Sequence, residues 1–168
     1  MFISGAGENP ASGVYGRPQN KEESVIYKRI MGLDVGDKRI GISLSDPLRI
    51  TAQGIETYNR RELEEQDIAY ICELAKKRDV ELFVCGLPKN MNGTIGPQAE
   101  KVMSFAEKLS EASGIELEYY DERLTTVMVE RTLIEADMSR SKRRKVVDKL
   151  ASVAILQGYL DNTGMRSI

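Results

Sequence analysis

The chain predicts a single layered α/β domain: a mixed five-stranded sheet, made as an antiparallel meander followed by βαβ crossovers, with helices on both faces. Three observations carry this expectation. Strand-like alternation with short turns fills the stretch from Arg29 to Thr57. Helix-spaced apolar residues then alternate with short apolar runs. No internal repeat or linker divides the 168 residues, a length that allows one sizeable core.

Met1–Lys28 is rich in Gly, Pro, Ser and Asn and shows no period, so it is expected to be a flexible leader or upstream extension, with the domain spanning 29–168. In RIMGLDV, alternation sends Met31, Leu33 and Val35 to one face and Ile30, Gly32, Asp34 and Gly36 to the other. A turn at Gly36-Asp37-Lys38 leads to a second strand, Arg39–Ser45, with Ile40, Ile42 and Leu44 inward and Arg39, Gly41 and Ser43 outward. Asp46-Pro47 opens another turn, and Ile50–Thr57 reads as a third strand. Ile68, Ile71, Cys72 and Ala75 predict an amphipathic helix over about Arg60–Arg78. The run VELFVCGL (Val80–Leu87) predicts a strand covered on both faces. Pro88–Gly96 is a loop; Gly86 just before it, with Asn90, Asn92 and Gly93 in it, suits a tight loop, and Ala99, Val102, Met103 and Ala106 then mark a helix closed by Gly114. A fifth strand, Ile115–Tyr120, precedes a helix at Thr125–Ala136. A polar, basic link, Asp137–Lys142, then joins it to a last apolar helix over Arg143–Leu160.

Composition removes several classes of chemistry. The chain has no histidine, which excludes Ser-His-Asp and Cys-His catalysis and histidine-zinc sites. Carboxylates and metal ions are the natural remaining tools for hydrolysis. Cys72 and Cys85 make neither a zinc site nor a disulfide framework and read as core thiols of a cytoplasmic protein. No run approaches a membrane span, the first residues lack a signal-peptide pattern, and the formal net charge is −2.

Three acids stand out. Asp34 lies mid-sheet beside glycines that would clear space for metal and phosphate; a solvated hairpin Asp is the plainer alternative. Asp121-Glu122-Arg123 ends the fifth strand, where parallel strands of α/β sheets gather their sites. Asp148 sits in the apolar helix segment KVVDKLASVAIL, one turn before Ser152, with a surface position between Lys145 and Lys149 as the alternative. Three converging carboxylates would repel one another unless cations lay between them, and hard oxygen ligands suit Mg²⁺ or Mn²⁺. Two such ions can activate water and stabilise the leaving oxygen in phosphodiester cleavage without any histidine.

GLDVGDKRIGI, VCGLPKNMNGT, YDERLTT and KVVDKLASVAIL resemble, in order, the motifs of the YqgF/RuvX family, over about Arg29 to Leu160. These are bacterial RNase H-like nucleases, described both as Holliday-junction resolvases and as pre-16S ribosomal RNA nucleases. The resemblance implies an RNase H-like fold and a metal-dependent triad, carried by motif onto Asp34, Glu122 and Asp148, which would be both catalytic and metal-binding.

Basic residues would supply the nucleic-acid contacts. SRSKRRKVVDK sets Arg140, Lys142, Arg143, Arg144, Lys145 and Lys149 against Asp148 alone, a net +5 immediately around that acid. Lys38, Arg39, Lys89 and Arg123 lie near the motif acids and could add phosphate contacts. The expected partner is therefore a structured RNA precursor, with the 5′ end of pre-16S rRNA as the leading substrate, or branched DNA for a junction resolvase. A resolvase needs two symmetric cuts and so favours a homodimer over a monomer. A non-catalytic RNA-binding ribosome-assembly factor is the reading from another class. An actin- or sugar-kinase-like ATP site is disfavoured, because no second Gly-rich phosphate loop follows Leu87.

Overall fold

The alternation in RIMGLDV produces the central strand of the sheet. Met31, Leu33 and Val35 are buried on one face, while Ile30 is buried on the other together with Gly32. In the computed structural model, which describes residues 28–123 and 139–166 (143–149 and 165–166 by backbone alone), this strand is β1, Arg29–Val35. The leader up to residue 27 and the helix expected at Thr125–Ala136 fall outside the described residues.

β1 is followed by β2 (Arg39–Ser45), β3 (Ala52–Asn59), α1 (Glu64–Lys77), β4 (Val80–Leu87), α2 (Pro97–Ser113), β5 (Glu116–Asp121) and α3 (Arg140–Arg166). The sheet order is β3-β2-β1-β4-β5. β2 runs antiparallel to β1 and β3, while β4 runs parallel to β1 and β5. This is the five-stranded mixed sheet expected from the element order.

The two faces bury different cores. Leu33, Ile40, Ile42, Phe83 and Cys85 pack with Ile71 of α1 and Phe105 of α2. Ile30 and Val84 pack on the opposite face with Ile155, Leu156 and Leu160 of α3. β2 departs from the sequence reading here. Gly41 and Ser43 do not face solvent, because α3 covers them. Ser43 is fully buried, and its Oγ donates to the Ser152 carbonyl at 2.7 Å.

Element ends shift for local reasons. β3 starts at Ala52, because the Asp46 carboxylate gathers the N–H groups of Leu48, Ile50 and Thr51 at 2.7–3.0 Å and turns the chain there. α1 starts at Glu64, because Arg60 and Arg61 are spent on Asp67. Asp67 is fully buried and accepts from Arg60 Nε and the Arg61 N–H, each at 2.9 Å. Arg60 also donates to the Gly36 carbonyl at 3.1 Å, fixing the start of α1 to the β1–β2 turn. α2 ends as expected at Gly114, whose φ of 69° suits glycine. The basic stretch is not a link, since Arg140 and Lys142 already belong to α3, and Ser139 Oγ accepts the Lys142 N–H at 3.4 Å.

Candidate active site

Parallel pairing of β1, β4 and β5 brings their carboxyl ends to one edge of the sheet. Asp34 is the penultimate residue of β1, paired across the meander with Gly41. Glu122 follows β5 directly, and its N–H donates to the Leu87 carbonyl at the end of β4, at 3.3 Å. Asp34 is therefore on a central strand and half-buried, not a solvated residue of an edge hairpin.

These two acids meet. A side-chain hydrogen bond joins Glu122 to Asp34, and the Glu122 carboxyl is pushed up to about 8. Burial is the main cause, followed by the neighbouring charge and hydrogen bond of Asp34 and by the charge of Asp121. The same two acids reach through the sheet to Cys85, whose thiol is raised chiefly by its own burial and then by their charges. Cys72 and Cys85 are free thiols, as the sequence predicted.

Gly32, expected to clear space beside Asp34, and Gly41, expected to face outward, both lie against the protein itself. A side chain at Gly32 would strike Ser43 Oγ and, at 2.8 Å, Leu156 Cβ, while one at Gly41 would come within 3.3 Å of Ser152. Both positions admit α3, so their space is filled by the protein and is not left for a ligand. Gly86 lies inside β4, and a Cβ there would overlap Glu122 Oε1 and Ile155 Cδ1. Its role as the seat of Glu122 was hidden in the sequence, where only a Gly two residues before Pro88 could hint at a close approach.

Asp148 belongs to α3, and its position is one helical turn before the buried Ser152. Its side chain is outside the described residues, among which no group of three His, Cys, Asp or Glu is arranged to hold a metal.

The predicted basic contacts divide. Arg123 is committed to Asp121, donating from Nε at 2.9 and 3.0 Å and from a terminal nitrogen at 2.5 Å. This pairing holds the Asp121 carboxyl below its usual range, with Lys89 as a further, weaker contributor. Asp121 was read only as the residue before Glu122; its ion pair orients Arg123. Lys38 and Arg39 are exposed at the β1–β2 turn, and Arg140 and Lys142 are exposed at the start of α3. Arg143, Arg144 and Lys145 follow in the same helix.

Residues 28–162 match the model of the RuvX family, described as Holliday junction resolvase. The chain belongs to that family. A Clostridium botulinum relative named "Putative pre-16S rRNA nuclease" is 56% identical over 134 residues, covering 80% of this chain and 97% of the relative. A Clostridium kluyveri relative of the same name is 55% identical over 133 residues, covering 79% and 96% respectively. Among solved structures, RuvC of T. thermophilus in complex with Holliday junction substrate aligns at a TM-score of 0.49 and 14% identity, over 82% of this chain and 96% of that one. Among the described residues, no helix of this RuvX-family chain is long and apolar enough to cross a membrane.

Proposed function

We propose that this chain is a metal-dependent nuclease that hydrolyses phosphodiester bonds, with Asp34, Glu122 and Asp148 as its metal-binding and catalytic acids. The observation that carries this reading is the contact between Asp34 and Glu122. Two carboxyls held together at the carboxyl edge of the sheet are costly as a doubly charged pair. The all-oxygen donor set fits Mg²⁺ or Mn²⁺, and a divalent cation would relieve the crowding that raises Glu122. Position 148, one turn before the residue that packs over Gly41, supports Asp148 as the third member.

When bound, a pair of such ions would activate the attacking water and stabilise the departing oxygen. The protein's own contribution is placement. Gly86 leaves the volume that the Glu122 carboxylate fills, and the Glu122 N–H bond to Leu87 fixes the backbone behind it. The exposed Arg140 and Lys142, with Arg143, Arg144 and Lys145 after them, would hold the phosphate backbone beside position 148. Lys38 and Arg39 would do the same on the β1 side.

The substrate we favour is the 5′ end of pre-16S rRNA, in line with the names carried by the 55–56% identical relatives. The second reading, a Holliday junction resolvase acting as a homodimer, is favoured by the description of the family model. Purified protein with Mn²⁺, offered a precursor RNA and a four-way DNA junction in parallel, separates them. Cleavage of the RNA supports the first reading, and paired symmetric cuts in the junction alone would replace it with the second. Binding of RNA with no cleavage of either would leave a non-catalytic assembly factor.

A further inference from the structure

The loop from Pro88 to Gly96 leaves β4 beside the two acids and presents its most exposed apolar side chain at its tip. Met91 is 94% exposed, far more than any other large apolar residue described. A single exposed apolar residue is ordinary on a protein surface. This one is held rigidly. Asn90 N–H donates to the Thr94 carbonyl at 2.9 Å, and Gly93 N–H donates back to the Asn90 carbonyl at 2.8 Å. Thr94 Oγ1 donates to Asn92 Oδ1 at 2.6 Å, and Asn90 Nδ2 donates to Thr94 Oγ1 at 3.0 Å. Gly93 takes a φ of 82°, which closes the turn.

The loop is also tied to the site. Arg123, next in sequence to Glu122 and locked in place by Asp121, donates from a terminal nitrogen to the Met91 carbonyl at 3.4 Å. Glu122's neighbour in sequence thus sets the height and direction of the loop tip. Such fixation gives Met91 no apolar surface to bury within the described chain, yet it limits the backbone entropy that the loop would lose on contact with a ligand. A thioether is polarisable and lies well against an aromatic face, and apolar side chains of this kind insert between or against bases in nucleic-acid complexes.

We infer that Met91 is a base-contacting wedge that packs on an unpaired or unstacked nucleobase next to the bond held at Asp34 and Glu122. The inference rests on the nucleic-acid reading of that site, but it concerns selection of the substrate, not cleavage. Arg123 then acts as a positioning residue for the wedge in addition to any phosphate contact. Contact with a base face is sequence-tolerant, so the wedge selects distorted or single-stranded segments and carries little base identity.

The test uses the full chain with a stem carrying one unpaired 2-aminopurine, prepared as RNA and as DNA, and the same stem fully paired. Wild-type protein is expected to change the fluorescence of the unpaired probe in at least one of the two stems. Met91→Ala should abolish that change and weaken binding of that stem by about tenfold. Binding of the fully paired stem and of Mn²⁺ should be unaffected, and Met91→Leu should restore most of the loss. Because Met91 is exposed, thermal melts of the variants should match the wild type. Equal binding and equal fluorescence for wild type, Met91→Ala and Met91→Glu would overturn the inference, as would a wild-type protein that perturbs neither probe. A wild type that perturbs the probe through Met91 but cleaves nothing with Mn²⁺ would uphold the wedge while removing the nuclease reading.

Discussion

Gly86 and the carboxylate of Glu122 occupy complementary space: a methyl group on the glycine would overlap Glu122 Oε1 and Ile155 Cδ1. One residue of β4 therefore determines whether the acid after β5 can lie against Asp34. Gly86→Ala is expected to push Glu122 off its seat and to crowd α3. Overpacking of this kind costs roughly 1–3 kcal/mol, readable as a shift in the urea midpoint. Mn²⁺ affinity should fall in the same variant. Unchanged Mn²⁺ titration in a folded Gly86→Ala protein would show that Glu122 does not need this seat.

The raised carboxyl of Glu122 makes stability depend on pH in a defined window. In the folded protein the group titrates near 8, against an ordinary value of 4.5. Between those values the folded state binds more protons than the unfolded chain, so stability falls as pH rises through that interval. Asp46 and Asp121 are shifted downwards, the former mainly by the Thr51 N–H and the latter mainly by Arg123, so their contributions are lost only at acid pH. Metal-free protein should accordingly melt at a lower temperature at pH 8 than at pH 5.5. Glu122→Gln should flatten this slope, and saturating Mn²⁺ should flatten it in the wild type. An equally steep slope in Glu122→Gln would assign the effect to other groups.

The exposed cations at the start of α3 predict a salt-dependent affinity that is blind to sequence. Each phosphate contact removed should lower the slope of log affinity against log salt by about one unit for duplex substrates. Arg140→Ala and Lys142→Ala are expected to act in this way, singly and nearly additively, with little change in the cleavage rate at saturating substrate. Filter binding at several salt concentrations measures it. Slopes identical to wild type would move the backbone contact elsewhere, Lys38 and Arg39 being the other exposed pair.

Much of this fold could be read from the chain because its signals are local. The alternation around Asp34, the nearly continuous apolar run of β4 and the glycine closing α2 each specify their own element. What could not be read depends on contacts distant in sequence. Ser43 looked solvent-facing because alternation cannot tell a free sheet face from one covered by a helix more than a hundred residues later. Gly32 looked like room for a ligand for the same reason, although Leu156 fills that room. Asp67 carries no signal of its role in the sequence. Its burial against Arg60 follows from the placement of α1 over the β1–β2 turn, which no spacing in the sequence encodes. At the site, the motifs indicated which acids to consider, while the meeting of Asp34 with Glu122 came from the parallel register of β1, β4 and β5.

The central claim is that Asp34 and its partner acids hold the metal that supports phosphodiester cleavage. The most direct measurement is the single-turnover cleavage rate with Mn²⁺ for wild type and Asp34→Asn, each with its Mn²⁺ binding isotherm. Replacing even an outer partner of a metal ligand costs 10–100-fold in metal affinity or activity, so loss of a direct ligand should lower the cleavage rate by at least about a hundredfold and weaken Mn²⁺ binding in parallel. Cleavage by Asp34→Asn at the wild-type rate, with the same Mn²⁺ isotherm, would contradict the account.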